Sequence, residues 1–256
     1  MDPATFIGIG LGFVAIFGSM IMEGGKPGAL FLIPPLLLVF GGTFGAAMAG
    51  SLMSDVKRVP KALMRAFKSK PVVATNSVET IVSLADRARR EGLLALESEI
   101  SQVEDQFLRR ALEMAVDGTD ADEVAEILGA EVDAKRAHDA VGAKIFADMG
   151  GYAPTIGIIG TVIGLVHVLG DLTDTATLGG KIASAFIATL WGVMSANLIW
   201  FPLANRLKRV SDAECEAMEM AIEGVLAIQS GSNPRLIQQK LQSMLPQADP
   251  PQKEVA

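Results

Sequence analysis

Four stretches of this chain contain no Asp, Glu, Lys or Arg, and each is long enough to cross a lipid bilayer. They are Pro3–Met22, Pro27–Ser54, Met149–Gly170 and Ile182–Asn205. A spanning helix needs roughly 20 mostly apolar residues. This constrains the chain more than any other feature: it predicts an all-α integral membrane protein with four transmembrane helices. Only 20% of the 256 residues are charged, below the roughly 25% of ordinary soluble domains, as such runs require. The N-terminus, MDPATF, lacks the basic region and the cleavage pattern of a signal peptide, so Pro3–Met22 reads as a retained first span.

Lys and Arg beside the spans set the orientation. Lys57, Arg58, Lys61, Arg65, Lys68 and Lys70 follow span two, and Arg206, Lys208 and Arg209 follow span four. The junction with Glu23 and Lys26, and the one with Asp171, Asp174 and Lys181, are short. The basic segments and both termini are therefore expected in the cytoplasm, with the short loops outside. Residues 1–54 then hold transmembrane helices 1 and 2, and 55–148 form a helical cytoplasmic domain. Residues 149–205 hold helices 3 and 4, and 206–256 are C-terminal cytoplasmic helices and a tail.

Both polar parts read as helix. Val78, Ile81, Val82, Leu84 and Ala85 share a face before Gly92 interrupts, and Leu93, Leu94 and Leu96 resume the apolar pattern. FLRRALEMAVDG is amphipathic and ends in glycine; GTDADEVAEIL starts a helix with Thr119 or Asp120 as its cap. Asn233 and Pro234 open a short last helix. The Pro-rich end, QADPPQKEVA, is expected to be disordered.

The spans are informative through what they lack. Ion pumps and proton relays place a carboxylate at membrane depth, and none of these spans has one. Such a chain either conducts nothing or borrows the group from a partner. What the last two spans do carry is a small-residue face each. Pro154, Gly157, Thr161 and Gly164 share one side of span three; Ala185, Ala188, Thr189, Gly192 and Ala196 share one side of span four. Such stripes serve close helix packing. The two hydroxyls would equally suit a passing ion or a partner's carboxylate. His167 reads as a partly buried histidine near the outer end of span three, with a proton relay as the alternative, and Trp200 as an interface anchor. Pro154 and Pro202 each remove a backbone donor, either to end a span or to hinge it.

Two histidines and one cysteine, Cys215, with no nucleophile, zinc or phosphate-loop motif, argue against an enzyme and against an internal disulfide. A net charge of −7 argues against nucleic acid as a partner. No cofactor or metal is expected.

The blocks FGGTFGAA, ADRARREGLLALE, EMAVDGTD, GGYAPTIGIIGTVIGLVHVL, IASAFIATLWGVMSANLIWFPLANRLK and IQSGSNPRLIQQKL resemble, in order and along nearly the whole chain, the MotA/PomA family of flagellar stator subunits. The resemblance implies a pentameric ring around the paired membrane helices of a peptidoglycan-anchored MotB or PomB, which supplies the ion-binding aspartate. It also implies torque on the rotor protein FliG. By motif position, Thr161 and Thr189 match the family's ring-lining threonines, and Pro154 and Pro202 its paired functional prolines. Arg89 and Glu97 match the charged positions facing FliG; read locally, they belong to a solvated helix face crowded by Arg87, Arg90, Glu91 and Glu99. The transported ion is H+ or Na+, with H+ expected as the commoner case. Two other readings remain at this stage. A TolQ/ExbB-like subunit energising another envelope machine would usually have three spans. A membrane scaffold that conducts nothing would be indifferent to losing both threonine hydroxyls.

Overall fold

The computed structural model describes residues 4–69, 74–170, 172 and 175–245. Lys70, Asp171, Asp174 and the Pro-rich tail lie outside the described residues. Within them no strand occurs. The first apolar run forms α1 (Ala4–Met22). The second divides into a 3-10 turn, Pro27–Leu30, and the shorter apolar helix α2 (Ile33–Ala49). Pro34 and Pro35 fit its first turn because N–H groups there have no intrahelical partner. Next come a single turn, Met53–Val56, and then α3 (Val59–Lys68), α4 (Ala74–Glu91) and α5 (Gln106–Val116). α6 (Ala121–Gly170) is one helix of 50 residues whose second part is the third apolar run. α7 (Thr175–Ser195) passes through a π-helical turn, Ala196–Trp200, into α8 (Phe201–Gln229), and α9 (Pro234–Met244) closes the described chain. α1, α6 and the α7–α8 run are each long and apolar enough to cross a membrane. With α2 they make the expected four-span, all-helical architecture.

Helix boundaries follow local chemistry. Gly92, at φ 90°, ends α4, and Gly118, at φ 82°, follows α5; side chains rarely tolerate that backbone region. Asp120 rather than Thr119 caps α6, accepting from the Asp122 N–H at 2.9 Å. Asn233 caps α9 through the Arg235 N–H at 3.0 Å, with Pro234 beside it. Asp105 caps α5, accepting from the N–H groups of Phe107 at 2.8 Å and Leu108 at 3.2 Å.

The chain packs as two compact units. One comprises Met1–Lys70 and His138–Val210, the other Pro71–Ala137 and Ser211–Ala256. The polar stretches next to spans two and three therefore pack with the membrane helices, which a division by charge alone does not reveal. In the second unit the predicted face of α4 is buried: Val78, Ile81, Leu84 and Ala85 join Leu112, Leu128, Val225 and Leu241 in one core. Each fully buried leucine or isoleucine there contributes about 1.5–3 kcal/mol. Cys215 is buried in the same core. Ion pairs Lys135–Glu214 and Arg136–Glu219, both at 2.6 Å, link α6 to α8. Exposed pairs of this kind add at most about 1 kcal/mol each.

The first unit is tied together by rings. Phe17 meets Phe31, Phe31 meets Trp191, and Phe40 lies between Trp191 and Trp200, with centroids 5.4–6.2 Å apart. Phe146 of α6 stacks on Trp200 at 6.4 Å. The Trp191 indole N–H donates to the Leu30 carbonyl at 2.7 Å, pinning α7 to the turn before α2. Trp200 thus packs inward among aromatic neighbours, with its indole nitrogen buried, and is not the interface anchor expected of it. α1 contributes Phe13, Phe17 and Met20 only as partly buried partners, and none of its residues is fully buried.

The small-residue faces of spans three and four meet each other. A Cβ on Gly192 would lie 2.6 Å from the Ala153 carbonyl oxygen; one on Gly157 would lie 2.9 Å from the Ala188 carbonyl oxygen. Further out, Gly160 opposes Ala188 and Gly164 opposes Ala185. The obstacles at Gly157 and Gly192 are backbone atoms, which cannot rotate away. Gly192→Ala should therefore lower the thermal midpoint of the detergent-purified chain, by the equivalent of roughly 1–3 kcal/mol. Gly45→Ala, at a helical position with open space around it, should leave the midpoint unchanged or raise it slightly, as helix propensity predicts. Unfolding followed by Trp191 and Trp200 fluorescence separates the two. Equal midpoints for both variants would contradict the close approach.

Candidate functional site

The same contact sets the chemistry. Thr161 lies one helical turn beyond Gly157, and Thr189 lies one turn before Gly192 and its neighbours on the facing helix. With the two backbones touching, the hydroxyls of Thr161 and Thr189 are in direct hydrogen-bond contact. The Thr189 hydroxyl also reaches the Gly157 carbonyl at 3.1 Å, and that of Thr161 reaches the carbonyls of Ala185 at 3.3 Å and Gly157 at 3.4 Å. Both side chains are half-buried. The two alternatives open from the sequence therefore coincide: the stripes are a packing surface, and that packing gathers two hydroxyls and two backbone carbonyls at one depth. A hydroxyl has one hydrogen to give and two lone pairs. The pair has two hydrogens for one mutual contact and three carbonyl contacts, so it is already donor-limited and still able to accept. It is neutral and can hold a hard cation or a proton donor without trapping it. The carbonyls of Gly157 and Ala185 were not among the expected site groups. Their signal in the sequence is indirect, because carbonyls become reachable where a stripe of glycine and alanine removes the side chains in front of them.

Pro154 lies within α6, and Pro202 is the second residue of α8, directly after the π turn. Neither ends its helix. At the π turn the Phe201 N–H bonds to the Ala196 carbonyl, five residues back, and this wider turn adjoins the position where Pro202 removes a donor. A second π turn, Leu37–Gly41, follows Pro34 and Pro35 in α2. The two proline sites are also spatial neighbours. Gly150, whose carbonyl would normally bond the N–H that Pro154 lacks, has the Phe201 ring where its Cβ would be, at 2.7 Å. His167 is exposed at the end of span three, not partly buried, and forms no hydrogen bond or ion pair among the described residues.

In the second unit the crowded charges sort themselves. Arg87 bonds Glu91 at 3.2 Å and contacts Glu99, and Arg90 pairs with Asp86 at 2.7 Å. The hydrogen bond that Arg87 donates to Glu91, then the charge of Glu99, holds the Arg87 guanidinium above its ordinary pKa. Arg89 and Glu97, on either side of the turn at Gly92, are exposed and form no ion pair among the described residues. Leu94, between them, is 73% exposed. Among the described residues no cluster of His, Cys, Asp or Glu has a metal-binding arrangement.

Comparison with known proteins agrees with this architecture from end to end. Residues 99–220 match the model of the MotA/TolQ/ExbB proton channel family, and residues 6–92 match the model of the motility protein A N-terminal region. Motility protein A of Bacillus subtilis (strain 168) is 40% identical over 250 residues, which cover 97% of this chain and 93% of the relative. A solved structure of C. jejuni MotAB matches with a TM-score of 0.92 at 30% identity, covering 98% of both chains. A flagellar MotAB stator complex from Bacillus subtilis matches with a TM-score of 0.87 at 40% identity, covering 94% of this chain and 95% of that one. The N-terminal match and the two-sided coverage separate the chain from a TolQ/ExbB-like subunit. It belongs to the motility protein A family, the MotA branch of the MotA/TolQ/ExbB proton channel family.

Proposed function

We propose that this chain is the ring-forming stator subunit of a flagellar motor, working with a MotB-like partner to couple ion flow to rotation. The observation that carries the proposal is the paired hydroxyls of Thr161 and Thr189 in spans without a carboxylate. The ring offers a neutral, accepting wall, and the partner's membrane aspartate supplies the charge that a cation needs at that depth. Protonation or ion binding neutralises the aspartate and lets it move past the threonine pair; release restores the charge. The coupling ion in this reading is H+. The threonine pair itself favours a second reading, Na+, since two hydroxyls and two carbonyls are hard oxygen ligands. Swimming in sodium-free medium decides between the ions.

Orientation follows the cations. The basic segments after spans two and four support a reading with both termini in the cytoplasm, in a chain of the bacterial inner membrane. Arg89 and Glu97 are then the charges left to meet FliG, since their neighbours are engaged within the unit. Pro154 and Pro202 act as paired points of adjustment where α6 and α7–α8 leave the membrane. The π turn beside Pro202 is a wider helical register that can be exchanged for an ordinary one.

Thr189→Val, nearly isosteric without the hydroxyl, should cut ion flux and torque while the complex still assembles. Thr161→Val should do so more weakly if the ion is H+ and severely if it is Na+. Full swimming by the double variant at low ion-motive force would remove the hydroxyls from the mechanism. Arg89→Glu and Glu97→Lys should weaken rotor engagement with conduction intact. Each exposed pair is worth roughly 0–1 kcal/mol, so the double reversal should be worse than either single one, with partial rescue by opposite reversals on FliG. Loss of membrane assembly in both variants would make these residues structural. The chain expressed alone should conduct nothing. Adding the partner should create flux, and changing the partner's membrane aspartate to asparagine should abolish it, read as intracellular pH or sodium. Flux from the chain alone that His167→Ala removes would instead make His167 the relay.

A further inference from the structure

On leaving α2 the chain enters a segment that carries Lys57, Arg58, Lys61, Arg65 and Lys68 and, within it, a single acid, Asp55. Its helix, α3, packs across the ends of the apolar helices. Phe67 meets Phe6, in the first turn of α1, with ring centroids 5.0 Å apart. Ala66 is buried with Ala47 of α2, Met149 of α6 and Leu203 of α8. Phe6 and Ala47 are the first and last turns of spans one and two, so α3 lies at the boundary of the apolar layer. Its other side keeps apolar groups exposed: Leu63 and Met64 are 37% and 52% exposed, and Leu52 and Met53 just before it 70% and 59%. Cations interleaved with exposed apolar residues are the composition of a helix lying in a bilayer interface.

Between α3 and α6 this segment forms a cleft of about 250 Å³, lined by Arg58, Lys61 and Arg65 on one side and His138 and Asp139 on the other, with Leu207 of α8 also in its wall. The charges are not balanced. Asp139, its side chain only 7% exposed, holds Arg65 through both guanidinium NH2 groups, so that pair compensates itself. Arg58 and Lys61 have no carboxylate partner among the described residues. Two uncompensated cations thus converge on an open cleft at the membrane boundary.

We propose that this cleft binds the phosphate headgroup of an anionic phospholipid, with Arg58 and Lys61 on the phosphate. A phosphodiester has the charge the cleft lacks, and fork-shaped Arg donors suit its oxygens. The place of α3 against the ends of spans one and two distinguishes a lipid from a free anion, which would gain nothing from it. The bound lipid would fasten α3, and with it the ends of spans one and two that α3 packs on. The proposal rests on the membrane fold alone and does not depend on the stator's ion or rotor contacts.

The test uses the full-length chain assembled with its partner, in nanodiscs of phosphatidylcholine with or without phosphatidylglycerol, then extracted into mild detergent for native mass spectrometry. The intact complex should retain phosphatidylglycerol in preference to phosphatidylcholine. Arg58→Gln with Lys61→Gln should lower that preference roughly thirtyfold, the combined effect of two interfacial cations, at unchanged oligomer mass. The charge-keeping exchange Arg58→Lys with Lys61→Arg should retain most of it. Excess inorganic phosphate should not displace the lipid. Equal retention by the neutralised variant would overturn the proposal, as would equal loss in the charge-keeping one. Displacement by inorganic phosphate would identify a free-anion site instead. A fall in oligomer mass with lipid retention intact would assign the cleft to a neighbouring copy.

Discussion

The backbone contact between spans three and four at Gly157 and Gly192 is the constraint on which the membrane unit depends. Within a bilayer, lipid tails solvate an apolar helix as well as another helix does, so burial of leucine gives no net drive to associate. What remains is close packing and polar contact, and both need the side chains out of the way. Glycine at 157, 160, 164 and 192, with alanine at 153, 185 and 188, provides that clearance. The polar contact is then supplied by Thr161 and Thr189, whose two hydrogens are shared among their mutual contact and the carbonyls of Gly157 and Ala185. A hydroxyl left alone in hydrocarbon would cost several kcal/mol; here each finds partners within the pair of helices. The pair still has lone pairs to offer.

Around that contact the rest of the unit is held by shape-specific groups. The run of rings from Phe17 to Phe146 ties α1, α2, α7 and α6 together, and aromatic pairs contribute about 0.5–1.5 kcal/mol each beyond their area. The π turns occur at the two places where this ring network crosses prolines, Leu37–Gly41 after Pro34 and Pro35 and Ala196–Trp200 before Pro202. Pro202, inside a continuing helix, leaves a carbonyl without its donor, and a change of hydrogen-bond register is one way for the neighbouring backbone to adapt; Pro34 and Pro35, in a first turn, leave none.

The second unit solves a different problem, in water, by ordinary burial of amphipathic faces. Its charges divide by whether they have a partner inside the unit. Arg87 and Arg90 are held by Glu91, Glu99 and Asp86, whereas Arg89 and Glu97 project without an ion-pair partner among the described residues. Helix geometry makes the difference. Arg87 and Glu91 are four residues apart on one face, while Arg89 is rotated about 200° from Arg87.

The amino-acid sequence by itself determined the four apolar helices, the helical polar domain, the capping of the last helix at Asn233, and the two small-residue faces. All of these follow from local composition and period, and the physics that sets them acts within a few turns of chain. Family resemblance selected Thr161, Thr189, Pro154, Pro202, Arg89 and Glu97 as residues of interest. Only the tertiary structure decided that the two small faces meet each other, that their hydroxyls touch, and that the carbonyls of Gly157 and Ala185 join them. Periodicity tells which residues share a face but not which face it meets. The same limit explains Trp200, whose place near a span end suggested an interface anchor, and His167, which is exposed. It also explains why the polar segment after span two packs with the membrane helices: its charges are local, but the contacts of Phe67 with Phe6 and of Arg65 with Asp139 join positions far apart in the chain, and long-range contacts leave no mark on local composition.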